Sequence, residues 1–499
     1  MTMKLNNLFS IIAISVAAVS CSDFLNLSDP NAVTTANYYT SLTDIQNSVN
    51  GVYAVLKEGN FMGSSACYFE ENKARFLTFP DTGVGGGENA QFDNCTVQAG
   101  NQMVLSRWNA IYKCIDRANV VLKHIDDIKY SSADVRSQLE AEVRFVRALC
   151  YYTLVCDWGP VPVVLSKIET LDGVNKANVR QPKETVYQAI FDDCEFVVSS
   201  KLPDLQTAAN CGRASKVAAE ALWSRGLGDV YKRQATDEDF AAKKEELCKT
   251  AITQLTAAWS KKPFGDFKNV DLTEIWDVDK QATAAEGIFQ LVFIGGSNSA
   301  NSSYNTQFRP TDINDPSKEV NGKASSGSHF MPFNKTTSLY NEAGDLRMSK
   351  LIARGSHKGS DTYYTLKYRD LDPSGYYGCN NVVLRYADVA LMLAEAYYHS
   401  NQAAKAQEYL NMVRNRAGLS SVTPTGKALR DAIYTERWRE FVYEFKAYSD
   451  MKRGYTKAEM LDLMKKDGAT EYDNTDYYLP IPHTQHILNP DGLYQNPGY

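Results

Sequence analysis

The sequence predicts a mainly α fold, a tetratricopeptide-like scaffold of helical pairs with long loop-rich insertions and a few short strands. Three observations carry this. Leu384 to Leu419 holds two apolar stripes of helical period joined by a polar hinge, Ser400-Asn401-Gln402. Comparable stripes recur from Ser41 to Trp259 without a strict repeat length. Two stretches, about 60–104 and 286–380, lose the period and are rich in Gly, Asn, Ser and Asp. A single helix pair cannot bury its apolar faces alone, so the pairs must stack on one another.

Each element has its own signal. Before the first helix, Lys4 and the apolar run Leu8 to Val19 end in Ala18-Val19-Ser20-Cys21, which fits a lipoprotein signal at 1–20 with Cys21 as the lipidated first residue. The run is too short for a membrane span. Ser41-Leu42-Thr43-Asp44 reads as a capping box, and Ile45, Val49, Val52 and Leu56 trace the stripe behind it. Trp108, Ile111, Tyr112, Ile115, Asn119 and Leu122 form the next stripe; the spacing of Trp108 assigns it to the core. A long helix follows from Ser132 to Trp158, stopped by Gly159-Pro160. Helices over Pro182 to Ser199, from Ala214 to Trp223, and over Phe240 to Trp259 come next. Between the last two, Ser224 to Gln234 places Gly226 and Gly228 where a helix should continue, at about 1 kcal/mol per glycine against alanine, so a break is expected there. Glu286 to Phe293 alternates like a short strand. In the last pair, Ala387, Leu391, Ala394, Glu395 and Tyr398 share one face, Ala406, Leu410, Val413 and Ala417 another, and Gly418 can end the helix with φ > 0.

Composition excludes some functions. The formal net charge is −6 and no basic cluster is present, which argues against nucleic acid. Gly85-Gly86-Gly87 lacks the following Lys-Ser/Thr of a phosphate loop. No zinc-spaced Cys/His group occurs, and His483 and His486 have no further evident ligands, so neither metal nor cofactor is expected. Cys67 and Cys95 sit in a loop-rich region where a bridge is open to them. Glu436, Glu440 and Glu444 recur every four residues with Arg437 and Arg439 beside them; ion pairing is preferred to a glycosidase pair, which must flank a cleft.

Several motifs carry a resemblance. They are Leu384-Arg385-Tyr386-Ala387-Asp388-Val389, Val413-Arg414-Asn415-Arg416-Ala417-Gly418-Leu419, WNAIYKCIDRANVVL from Trp108, and GRASKVAAEALW from Gly212. To these add Glu436 to Glu444 and the tail Leu479-Pro480-Ile481-Pro482 to Tyr499. Together they resemble the SusD/RagB family of Bacteroidetes outer-membrane lipoproteins. The resemblance runs from Cys21 to Tyr499, broken at Ser224–Gln234. It implies one domain over 21–499, with a helical scaffold over about 41–260 and 382–455. It also implies non-catalytic capture of oligosaccharides for a SusC-like TonB-dependent transporter, on the outer membrane through a lipid at Cys21. The loop regions would face the ligand. Aromatics lacking a helical period, set among hydrogen-bonding groups, suit sugars, which present a C–H face and hydroxyls. The expected contacts are Phe79, Phe92, Asn94, Tyr304, Phe308, Arg309 and Phe330. A peptide-binding member of the family and a surface glycoside hydrolase are the alternatives.

Overall fold

A computed structural model of the chain describes residues 38–78, 87–233, 243–296, 298, 300–320 and 329–499. The signal segment, Cys21 and Phe79 lie outside these. Over half of the chain is helical and only 7% is strand, so the mainly α expectation holds.

Helix α1 (Leu42–Leu56) starts on the expected capping box: the Asp44 N–H donates to Ser41 Oγ at 3.3 Å and the Ser41 N–H to Asp44 Oδ2 at 2.8 Å. Ile45, Val49, Val52 and Leu56 are fully buried. The chain then forms a π-helical turn (Tyr68–Asn72) and α2 (Gly87–Asp93) before α3 (Gln102–His124). The stretch expected to be irregular is therefore packed, with Phe61, Phe69, Phe76 and Phe92 all in the core. Its buried charges explain why periodicity missed it. Glu70 accepts from the Ser449 N–H and hydroxyl at 2.9 and 2.6 Å, and Asn72 donates to Asp93 at 2.7 Å.

α4 (Ala133–Trp158) is capped by Ser132 and stopped by Gly159 at φ 75°. A Cβ on Gly159 would meet the Tyr478 ring at 3.0 Å. α5 (Leu171–Ala177) and α6 (Lys183–Ser199) follow, then α7 (Lys216–Arg233) and α8 (Lys244–Ser260). α7 corrects the expected break, because the helix runs on to Arg233. Gly226 faces α6, where a Cβ would come within 3.0 Å of Phe191, so close helix approach offsets its poor propensity.

An excursion of more than 120 residues interrupts the stack. β1 (Gly287–Leu291) pairs antiparallel with a later strand; both its faces are buried, unlike the half-exposed strand that alternation suggests. β2 (Asp312–Ile313), α9 (Phe333–Leu339) and α10 (Leu346–Lys350) precede the hairpin of β3 (Ile352–His357) and β4 (Ser360–Thr365). Lys358 at φ 50° and Gly359 at φ 83° make the two-residue turn whose twist matches paired strands. β5 (Asn381–Arg385) then leads directly into α11 (Tyr386–His399) and α12 (Ala403–Arg416). Beyond α12, Gly418 takes φ 82° as expected. α13 (Gly426–Phe441), α14 (Ala447–Gly454) and α15 (Lys457–Lys466) complete the chain's longer helices.

Neighbours pack in order: α1 on α3, α3 on α4, α4 on α6, α6 on α7, α7 on α8. α8 then packs on α11 across the excursion, and α11 packs on α12 and α13. One apolar core runs through the stack, and a satellite of Val320, Phe330, Ala353, Tyr364 and Leu366 lies in the excursion. All nine described cysteines are free thiols, Cys67 and Cys95 included. No described helix is long and apolar enough to cross a membrane.

Candidate ligand groove

The two loop regions meet at Thr78 and Phe330, whose backbones exchange hydrogen bonds of 2.8 and 3.1 Å. Met331 bridges in turn to Tyr363 of β4. Next to this seam opens a groove of about 820 Å³. Its walls come from four pieces: Arg75–Thr78, α9, α13 and the C-terminal end of α15. Phe76 and Leu339 are buried in its floor, while Trp438 is half-buried on its α13 side. Asn334 and Ser338 are exposed along the α9 side.

The walls are fixed by named bonds. Tyr340 Oη donates to the Arg439 carbonyl at 2.7 Å, and Arg439 Nε donates to the Leu339 carbonyl at 2.6 Å, bolting α9 to α13. Trp438 stacks on Tyr455 with ring centroids 5.7 Å apart at 18°, and lies 5.3 Å from Phe76 at 46°. Arg75, at φ 64°, donates to the carbonyls of Asp93 at 2.6 Å and Asp467 at 3.3 Å. Lys335 pairs with the Asp467 carboxylate and sits 4.4 Å from the Phe76 ring centroid.

Behind the groove, α13 turns its carboxylates inward. Glu436 accepts from Arg347 at 2.7 Å. Glu440 accepts from Arg347 at 3.0 Å, from Arg385 at 2.7 Å, and from Arg416. Glu444 lies beyond the helix end; it takes Lys367 at 2.6 Å and Arg385 at 2.8 Å. Burial would raise the Glu444 carboxyl, but Arg385, Lys367 and Lys446 outweigh it and push it down to about 2. Burial acts likewise on Glu440, where Arg416, Arg385 and Arg347 hold the carboxyl well below the usual range. Ion pairing is thus what these three do, though their main partners are Arg347, Arg385 and Arg416 rather than the adjacent Arg437 and Arg439. They are at most 3% exposed and do not line the groove.

The aromatics expected at a ligand are placed differently. Phe92, Tyr304, Phe308 and Phe330 are 0–2% exposed, so no ring face is open to a sugar. Tyr304 stacks on Tyr368 at 4.8 Å and on Phe308 at 6.4 Å, and its hydroxyl donates to the Met62 carbonyl at 2.9 Å. Phe92 packs on Phe69 at 4.8 Å, and Phe330 on His357 at 4.8 Å. These rings anchor the loops to the scaffold. Arg309 is tied to Glu319 at 2.9 Å and to the Val320 carbonyl at 3.0 Å. Asn94 is exposed, next to the Asp93 whose carbonyl holds Arg75. Sequence reasoning missed Trp438, because its setting within a charged helix reads as scaffold.

Two other cavities are less suited to a solute. One of about 80 Å³ lies among Glu70, Arg107, Asp157, Lys446 and Asp450, a charged space suited to water. A cleft of about 420 Å³ has its Trp276 only 6% exposed. No group of three or more potential metal ligands occurs among the described residues.

The stacked helix pairs, with a loop-and-sheet excursion set against them, define a helical scaffold protein that presents a fixed groove. Two family models match it: residues 23–226 match one described as "starch-binding associating with outer membrane", and residues 357–499 match the SusD family. The chain belongs to the SusD family. It is similar to two SusD-like proteins of Formosa agariphila, at 25% and 26% identity with 98% of each chain covered. Among solved structures it resembles a laminarin-binding SusD-like protein, at 22% identity and TM-score 0.75, covering 92% of this chain and 100% of that one. It also resembles surface glycan-binding protein A of Bacteroides thetaiotaomicron in complex with laminarihexaose, at 18% identity and TM-score 0.74, covering 92% and 99%.

Proposed function

We propose that this protein is a cell-surface lipoprotein, anchored in the outer membrane through Cys21, that captures oligosaccharides and delivers them unaltered to a SusC-like TonB-dependent transporter. The groove beside Trp438 carries the reading. It offers an aromatic edge, exposed amide and hydroxyl groups, and a volume within the range of solute sites. Structural relatives named for laminarin and laminarihexaose support a glycan as the solute. The three carboxylates a glycosidase reading would use are enclosed in ion pairs away from this groove. Rigid walls and one aromatic edge suit exchangeable binding, which cargo transfer requires. The test is retention on polysaccharide gels, with oligopeptides and reducing-end release assayed in parallel. Glycan retention that is lost in Trp438→Ala, without new reducing ends, is expected. Retention unmoved by that substitution removes the groove; peptide binding or chain cleavage replaces the function.

A further inference from the structure

We infer that the groove selects glycans bearing anionic groups, either uronate carboxylates or sulfate esters; this rests on the glycan-capture reading above. Among the described residues three cations line it, Arg75, Lys335 and Lys466, against one carboxylate, Asp467. That balance is opposite in sign to the whole chain, whose net charge is −6. Among the described residues only Lys335 has its charge matched, by Asp467. Arg75 spends its guanidinium on two carbonyls, which orient it without neutralising it. Lys466 is exposed and has no ion-pair partner among the described residues.

A structural role covers part of this. Lys465 and Lys466 close α15, where cations complement the helix dipole. That accounts for neither Arg75 nor Lys335, which reach the same groove from two other elements. A neutral sugar would leave Arg75 and Lys466 without a charge partner among the described residues. An anionic group beside Arg75 and Lys466 would gain charge-assisted hydrogen bonds from the Lys466 ammonium and from those guanidinium N–H groups of Arg75 not given to the two carbonyls. The aromatic edge of Trp438 then holds the sugar body.

Calorimetry on the mature chain compares laminarihexaose, an oligogalacturonide and a sulfated galactan oligosaccharide. The expected result is an anionic ligand preferred by about tenfold, the weight of one charge-assisted bond. That preference should shrink between about 0.05 and 0.5 M salt, as the screening length contracts. Which of the two anionic ligands wins assigns carboxylate or sulfate. Lys466→Glu, at an exposed position, should lower the ratio of anionic to neutral affinity while the fold is retained, the thermal midpoint falling only slightly for the reversed charge at the helix end. Lys335→Gln is the second variant. Laminarihexaose bound as tightly as the anionic ligands, with a ratio unmoved by either variant, overturns the charge selection and leaves glycan capture standing. Binding to none of the three overturns both.

Discussion

Arg385 grips Glu444 with two parallel bonds, Nε to Oε2 at 2.9 Å and Nη2 to Oε1 at 2.8 Å, and neither residue is more than 3% exposed. The same guanidinium reaches Glu286 at 2.6 Å and Glu440 at 2.7 Å. It thereby ties the end of β5, the residue preceding β1 and the α13 region to one point. Arg385→Met strands several buried carboxylates, so it should cost about 3–5 kcal/mol. Urea unfolding followed by far-UV circular dichroism measures this. The double variant Arg385→Met/Glu444→Leu should stay destabilised, because Glu440 and Glu286 still lose their partner. A single variant within about 1 kcal/mol of wild type would show the network to be dispensable.

Two glycines should respond oppositely to alanine. Gly418 has φ 82°, and a Cβ there would lie 2.8 Å from the Gly344 carbonyl oxygen. Backbone handedness alone costs roughly 1–2 kcal/mol, and a backbone clash adds to it. Gly51 lies inside α1, where a Cβ meets nothing within 4 Å. Gly51→Ala should stabilise by about 0.5–1 kcal/mol. Thermal melts of the two variants should move in opposite directions; a shared sign contradicts the assigned conformations.

The scaffold was legible because its helices obey a 3.6-residue period. The capping box at Ser41, the stop at Gly159 and the turn at Gly418 all fell where short-range chemistry put them. The excursion was less so. Tyr304, Phe308 and Phe330 lack a period because they fill a core assembled from loops, and an aperiodic aromatic looks the same whether it awaits a ligand or a distant partner. Trp438 was hidden for the opposite reason. It shares a helix with Glu436, Arg437, Arg439 and Glu440, whose charges point inward, so its side of α13 faces the groove. The inversion became visible only with Arg347, Arg385 and Arg416, which arrive from remote parts of the chain.

His329 provides a pH signature. Burial pushes its imidazole down to about 3 from an ordinary value near 6.5, with Tyr68 edge-on at 4.3 Å. The unfolded chain binds the proton that the folded chain refuses, so between those pH values unfolding takes up one more proton. Stability from this group is therefore full above about 6.5 and is lost as pH falls toward 3. Other groups titrate in the same window; burial pushes Glu71 up to about 8, with the opposite sign, so the comparison must be between variants. His329→Phe removes the imidazole contribution alone. The stability of wild type relative to His329→Phe should decline by about 1.4 kcal/mol per pH unit below 6. Equal pH dependence of the two proteins would mean that the imidazole is protonated inside the fold.

Phe308 and Trp438 separate anchoring from binding. Phe308 is 2% exposed and packs against Tyr443 at 4.9 Å, Tyr368 at 5.6 Å and Tyr304 at 6.4 Å. Phe308→Ala leaves a cavity among three tyrosines and should cost about 3–5 kcal/mol. Its folded fraction should bind glycan as wild type does, since the ring has no free face. Trp438 is half-buried, with one face on Tyr455, so truncation loses less core and more ligand contact. Trp438→Ala should weaken glycan binding by about thirtyfold, or ~2 kcal/mol, the scale of a central aromatic contact. Calorimetric affinities corrected for the folded fraction, set beside urea midpoints, place both variants on the same two axes. If Phe308→Ala lost affinity without losing stability, the loops would have to open to present that ring, and the groove beside Trp438 would no longer be the site.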